Sequence, residues 1–320
     1  MTTILRGWES VRPFDRSVLS VGNFDGVHRA HRRLIERAKE LALAESAPLI
    51  LVTFDPHPLT VVSPERAPTP LSTLDDRIEL LSTLSPDFIV VLRSEPGLLT
   101  LDAEAFARQI LHDGFHPIHI VEGPSFGFGK GRKGTPQVLG ELAAAWGGRV
   151  HIVEPVMISP KEGPPVLVSS SLIRGWLTQG DVERAAEGLG RPYLLRGDVI
   201  RGDGRGRGIG FPTANLQPSN QVIPGEGVYV GQAWIAADGY ACGISIGRAP
   251  TFAGSATRIE AHVLDFSGDL YGQPVALEFH RFLRAQRRFD TVEALRAQLH
   301  RDIDGVHHSA GSYKAERSAS

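Results

Sequence analysis

The chain has 320 residues, 42% of them hydrophobic and 22% charged, a globular composition that excludes wholesale disorder. Lys and Arg number 34 against 36 Asp and Glu, a net charge of -2, which excludes a global field that would hold the chain on DNA, RNA or an anionic membrane. Cys242 is the only cysteine, so neither an intramolecular disulfide nor a cysteine-rich zinc site is available, and no apolar run reads as a membrane span. The length predicts two domains, and the expectation is a soluble, cytoplasmic protein with no nucleic-acid or membrane partner, a homo-oligomer being left open.

From Val18 to about Gly180, short apolar runs alternate with amphipathic ones. Strand-like Ser17–Val21 precedes helical His31–Ala44; strand-like Pro48–Phe54 precedes helical Leu74–Leu84; Phe88–Leu92 precedes helical Ala103–Leu111. Ile118–Glu122 and Val150–Met157 read as further strands, each followed by a helix, Gln137–Trp146 and Leu172–Gln179. Such alternation predicts an α/β unit with a parallel sheet buried on both faces. From Tyr193 the pattern changes to short strand-like runs, Tyr193–Ile200, Gly227–Ala236, Tyr240–Ile246, Arg258–Asp265 and Val275–Phe282, separated by Gly, Pro and Asp. These predict an all-β antiparallel barrel or sandwich. Thr291–Asp302 reads as an amphipathic helix, and residues 306–320 read as a flexible tail.

Two stretches carry chemistry. Val21-Gly22-Asn23-Phe24-Asp25-Gly26-Val27-His28-Arg29-Ala30-His31 joins the first strand to the first helix. Gly22 and Gly26 admit a ligand close to the backbone, and a helix start offers N–H groups to phosphate. His28 and His31, three apart, can share a face and donate to charge on a transferring phosphoryl group; the alternative is a tight turn with two solvated histidines. The second stretch, Gly202 to Leu216, alternates glycines at Gly206, Gly208 and Gly210 and ends in Phe211-Pro212-Thr213-Ala214-Asn215. Its N–H groups can wrap phosphates, or Arg205 and Arg207 among the glycines can mark an RNA-binding segment.

The first stretch resembles the G-x-F-D-G-x-H-x-G-H signature of nucleotidyltransferases. More narrowly, the chain resembles the bacterial bifunctional riboflavin kinase / FMN adenylyltransferase (FAD synthetase) family. Thr53-Phe54-Asp55-Pro56-His57-Pro58, the loop Gly123-Pro124-Ser125-Phe126-Gly127-Phe128-Gly129 through Gly134, and Val168-Ser169-Ser170-Ser171-Leu172-Ile173-Arg174 resemble further family segments in order. Phe211 to Asn215 resembles the P-T-A-N motif of riboflavin kinase, joined by Gly190–Tyr193, Gly227–Tyr229, Gly247, Pro250–Phe252, Ile259–His262, Leu270–Gly272, Arg284 and Phe289. Ala30 stands where the family has Gly, Ser125 where it has Asp or Asn, Ser171 for Thr, and Leu172 where Arg is frequent; none of these deletes a catalytic group.

The resemblance implies a Rossmann-like nucleotidyltransferase domain over residues 1–186 and a riboflavin-kinase β-barrel with a C-terminal helix over 187–305. It implies phosphorylation of riboflavin to FMN and adenylylation of FMN to FAD, with ATP and Mg2+. In the first lobe His28 and His31 would stabilise the transition state, and Gly22, Phe24, Asp25, Gly26, Ser169, Ser170 and Arg174 would hold ATP. His57, Ser125, Phe126 and Phe128 would meet flavin there. In the second lobe Glu260 would act as general base, Gly206, Gly208 and Gly210 would wrap phosphate, Thr213 and Asn215 would ligate the metal, and Arg284 would meet flavin. A kinase with a weak or silent first lobe, and a non-enzymatic flavin- or RNA-binding regulator, are the alternatives.

Overall fold

The structure is a computed structural model that describes residues 1–159, 164–202, 208, 210–251 and 254–317. The chain forms two compact units, Met1–Ser169 and Ser170–Ser320.

The first unit is built on a six-stranded parallel sheet: β1 (Thr3–Arg6), β2 (Ser17–Val21), β3 (Leu49–Asp55), β4 (Phe88–Arg93), β5 (Pro117–Glu122) and β6 (Arg149–Ile152), in the order β1-β4-β3-β2-β5-β6. Alternate residues of the same strands feed two separate cores. Leu19, Val21, Ile50, Val52, Val90, Leu92 and Ile120 face one side, with Phe106, Phe115 and Leu139. Val18, Leu49, Leu51, Ile89, Val91 and Val121 face the other, with Leu34, Ile35, Ala38, Ala42 and Leu81. Burial on both faces is why these strands are apolar throughout. Helix Arg29–Glu45 turns the stripe Leu34, Ile35, Ala38, Ala42 inward and stops at Ser46, which is left-handed at φ 50°. Each fully buried Leu or Ile in these cores contributes about 1.5–3 kcal/mol.

The second unit opens with helices Ser170–Thr178 and Val182–Leu189, so these helices group with it although the sequence expectation begins that domain at residue 187. After the antiparallel pair β7 (Met157–Ile158) and β8 (Val166–Leu167) of the first unit come the barrel strands β9 (Tyr193–Ile200), β10 (Ala214–Pro218), β11 (Gly227–Ile235), β12 (Asp238–Thr251), β13 (Gly254–Val263) and β14 (Pro274–Arg284). They close antiparallel in the order β10-β13-β12-β11-β14-β9, around buried Leu195, Leu216, Tyr229, Ile244, Ile259, Ala261 and Phe279. Helix Val292–Arg317 follows.

Two expectations change. The strand expected over Val150–Met157 is Arg149–Ile152 only; Pro155 offers no ladder N–H, and Met157 pairs instead with Leu167. The tail expected from Val306 continues the terminal helix, because Val306 is 1% exposed and packs on Val230 and Leu264 of the barrel. Thr213 leads directly into strand β10, which begins at Ala214. Among the described residues no helix is long and apolar enough to cross a membrane.

Candidate active sites

In the first unit the strand order reverses between β2 and β5, the place where open parallel sheets bind ligands outside the strands' carboxyl ends. Two loops leave that crevice: 22–28 after β2 and 123–134 after β5. In the first, Phe24 and Val27 hold left-handed backbone at φ 46° and 40°, with Gly26 at 79°. Such a conformation costs of order 1–3 kcal/mol for a side-chain-bearing residue. Burial of the two side chains, to 2% and 0% exposure, offsets it. The Asp25 carboxylate accepts the N–H groups of Leu71 (2.9 Å) and Ser72 (3.2 Å), and Gly26 N–H donates to Ser72 Oγ (3.2 Å). These groups of Asp25 and Gly26 therefore hold the turn itself. Gly22 donates its N–H to Val52 O, and a Cβ there would press on the Phe24 ring at 3.3 Å.

His28 caps helix Arg29–Glu45: its Nδ1 accepts His31 N–H at 3.4 Å, which puts the proton of the neutral ring on Nε2. The two imidazoles stack at 3.6 Å between centroids and 16° between planes, and Phe24 meets the His31 ring edge-on. Burial, then His28, then the Arg77 guanidinium hold His31 well below its usual pKa. Its Nδ1 is buried with no hydrogen-bond partner among the described residues. A neutral imidazole such as His31 at a helix start can donate to phosphoryl oxygen without a desolvated charge of its own.

Arg77 is a residue the motifs do not mark. It is 5% exposed and donates to Phe54 O (3.0 Å) and Thr53 Oγ1 (3.3 Å). Burial lowers its pKa, while Asp25 and Asp55 oppose that. The signal was periodicity: Leu74, Arg77, Ile78 and Leu81 form one inward stripe of helix Leu74–Ser82. His57 Nδ1 accepts Leu59 N–H (3.2 Å), and its Nε2 meets the Asn23 amide at 2.9 Å, so the second family segment is tied to the first.

In the loop after β5, Phe126 and Phe128 stack at 5.6 Å. Phe128 is 5% exposed and packs against Phe106, in the core beneath the loop, with Phe126 above it on the side the flavin-stacking expectation concerns. Phe126 is half-buried, and Ser125 is exposed with its carbonyl accepting from Arg132 (3.0 Å). Ser169 and Ser170 stand at the start of helix Ser170–Thr178 and Arg174 one turn on, all half-buried.

The barrel carries the second site. Strand alternation turns Ile259 and Ala261 into the barrel and Arg258, Glu260 and His262 outward, toward the terminal helix. There a cavity of about 350 Å³ is lined by Thr213, Asn215, Ser245, Glu260, His262 and Arg284, with Leu295 and Leu299 of the helix. Asn215 of β10 and Glu260 of β13 are direct cross-strand partners, and Ser245 of β12 flanks Glu260 on its other side. The Glu260 carboxylate is 31% exposed and 3.8 Å from the Arg258 guanidinium. His262 Nδ1–H donates to Pro212 O at 2.7 Å, which fixes the approach to Thr213. A Cβ at Gly202 would collide with the Asn215 amide.

Arg284 lines the cavity, but its guanidinium is engaged: Nε and Nη2 bond the Asp302 carboxylate of the terminal helix at 3.0 and 2.6 Å. Gln298 donates to the same carboxylate at 2.7 Å, and Arg287 donates to Gln298. Arg284 thus ties the terminal helix to the barrel at the edge of the cavity where the sequence expectation puts flavin. Gly208 and Gly210 are exposed, with open space where a Cβ would stand; Gly206, Arg205 and Arg207 lie outside the described residues, as does Phe252.

Comparison with known proteins matches a FAD synthetase family model over residues 12–164 and a riboflavin kinase family model over 189–310. The bifunctional riboflavin kinase/FMN adenylyltransferase of Escherichia coli (strain K12) is 32% identical, covering 92% of each chain. That of Bacillus subtilis (strain 168) is 34% identical over 90% of each, and that of Pseudomonas fluorescens 34% over 94% of this chain and 95% of its own. A crystal structure described as a macrolide-efflux protein from Streptococcus pneumoniae superposes with a TM-score of 0.83 at 28% identity, over 96% of this chain and 98% of that one.

Proposed function

The chain belongs to the bifunctional riboflavin kinase/FMN adenylyltransferase family, and from that premise we propose how its two sites divide the chemistry. The enzyme phosphorylates riboflavin to FMN with one ATP and adenylylates FMN to FAD with a second, releasing pyrophosphate.

The kinase step belongs to the barrel cavity. A neutral primary alcohol, riboflavin's 5′-hydroxyl, attacks the γ-phosphorus of ATP and ADP leaves. The attack is assisted by a base, and the carboxylate of Glu260 takes the proton, a contribution of about 10²–10⁴-fold. Thr213 and Asn215 offer neutral oxygens beside that carboxylate, a hard donor set suited to Mg2+. Among the described residues no cluster of three His, Cys, Asp or Glu could hold a metal by itself, so the ion would be held chiefly by ATP's phosphates. Bound there, it would neutralise phosphate charge during transfer.

The adenylyl step belongs to the crevice between β2 and β5. The FMN phosphate is already ionised and attacks the α-phosphorus without a base, so catalysis is positioning and charge stabilisation. His28 and His31 supply donors to the developing phosphoryl charge. Half-buried Phe126 supplies a stacking surface, with His57 fixed beside Asn23.

The observation that carries this reading is the cross-strand pair Asn215–Glu260 in one cavity with Thr213. The test is Glu260→Gln assayed on each step. FMN formation from riboflavin is expected to fall by at least about a hundredfold while FAD formation from supplied FMN persists. Unchanged FMN formation would remove Glu260 from its role; loss of both steps would contradict separate sites.

A further inference from the structure

Glu122 is used by neither step as described, yet it sits where both loops of the adenylyl site begin. β2 and β5 pair at Ser17↔Pro117, Val18↔His119 and Leu19↔Ile120, and the ladder stops there. Continuing that register would set Val21 opposite Glu122. Val21 N–H points across the gap, and no β5 carbonyl takes it: the Glu122 carboxyl does, at 2.7 Å. The next residue along β2 is Gly22, where the His28 loop begins, and the next along β5 is Gly123, where the Phe126 loop begins. Glu122 is itself 2% exposed, and its main chain continues the ladder to β6, with Val153 N–H donating to Glu122 O at 2.9 Å.

We propose that Glu122 is a positioning residue for adenylyl transfer: its side-chain oxygen replaces the missing β2–β5 ladder bond and sets the separation of the histidine loop and the flavin loop. The proposal rests on the assignment of adenylyl transfer to this crevice. A valine at this position would fit the apolar surroundings better, but it would leave Val21 N–H buried without the acceptor that Glu122 supplies, at the start of the histidine loop. Burial drives the carboxyl well above the usual carboxylate range, only partly opposed by the Val21 bond. Glutamine keeps the length of the side chain and an oxygen that can accept the Val21 N–H, so it is the close mimic.

The experiment compares wild type, Glu122→Gln and Glu122→Val in FAD formation from supplied FMN and ATP, with kcat and KM separated, and uses riboflavin phosphorylation by the same preparations as the control. Glu122→Val is expected to lose about 10- to 100-fold in kcat, as small misplacements do. Glu122→Gln, whose amide oxygen accepts the same bond, is expected to stay near wild type. Riboflavin phosphorylation should be unchanged in both. Wild-type kcat in Glu122→Val would overturn the proposal. So would an equal loss in Glu122→Gln, which decides the matter even where the valine variant does not fold. Wild-type protein that makes FMN yet no FAD from supplied FMN would instead overturn the reading on which the proposal rests.

Discussion

The sign of the pH dependence at the histidine pair follows from His31. Its folded pKa lies below the ordinary 6.5, so on acidification the unfolded chain takes up the proton first. Stability from this group is complete above pH 6.5 and is lost as pH falls through the lowered folded value. Urea unfolding followed against pH should show that loss in wild type and less of it in His31→Asn. Glu122 runs the opposite way. Its folded pKa is raised above 4.5, so the unfolded chain ionises first and stability falls as pH climbs from 4.5 toward the folded value. Glu122→Gln should therefore be the more stable protein at neutral pH in the same unfolding experiment. For chemistry, His28→Ala removes a donor from the phosphoryl charge and should cut kcat for FAD formation by about 10²–10³-fold, with FMN formation as the unaffected control.

The terminal helix depends on one ionic contact and one apolar one. Asp302 is 7% exposed and bonds both Arg284 and Gln298. Removing it in Asp302→Ala strands the half-buried Arg284 charge, and the expected destabilisation is about 3–5 kcal/mol, read as a lowered thermal midpoint with weakened riboflavin binding. An unchanged midpoint would show that Val306 and its apolar neighbours hold the helix alone. Gly202→Ala is a narrower probe of the strand-edge geometry. The new methyl meets the Asn215 amide, and kinase activity should fall with little loss of stability. At this scale the sequence was uneven. Leu49–Asp55 and Phe88–Arg93 were legible because burial on both faces leaves continuous apolar runs. Thr3–Arg6 was not, since a four-residue edge strand shows little pattern, and neither was Ala214–Pro218, whose residues double as the P-T-A-N motif. The helix beyond Asp302 escaped because its apolar contacts among the described side chains, Ile303 and Val306, stand among polar neighbours.

Each of the two units has its own core, the family segment from Val168 to Arg174 runs across their boundary at Ser169, and the division into α/β and all-β parts was visible in how apolar residues are spaced. The candidate sites were legible wherever a residue type is unusual for its place, such as paired histidines at a helix start or a carboxylate in Ile-Glu-Ala-His. They were illegible where burial makes the role. Arg77 is marked by nothing but helical spacing, and Glu122 looks like an ordinary surface charge until the fold places it at 2% exposure. The central claim, two consecutive transfers on one chain, is tested most directly by one chromatographic time course with purified protein, riboflavin, ATP and Mg2+. FMN should rise first and then give way to FAD. FMN that accumulates with no FAD would contradict the second activity, and riboflavin left unconsumed would contradict the account as a whole.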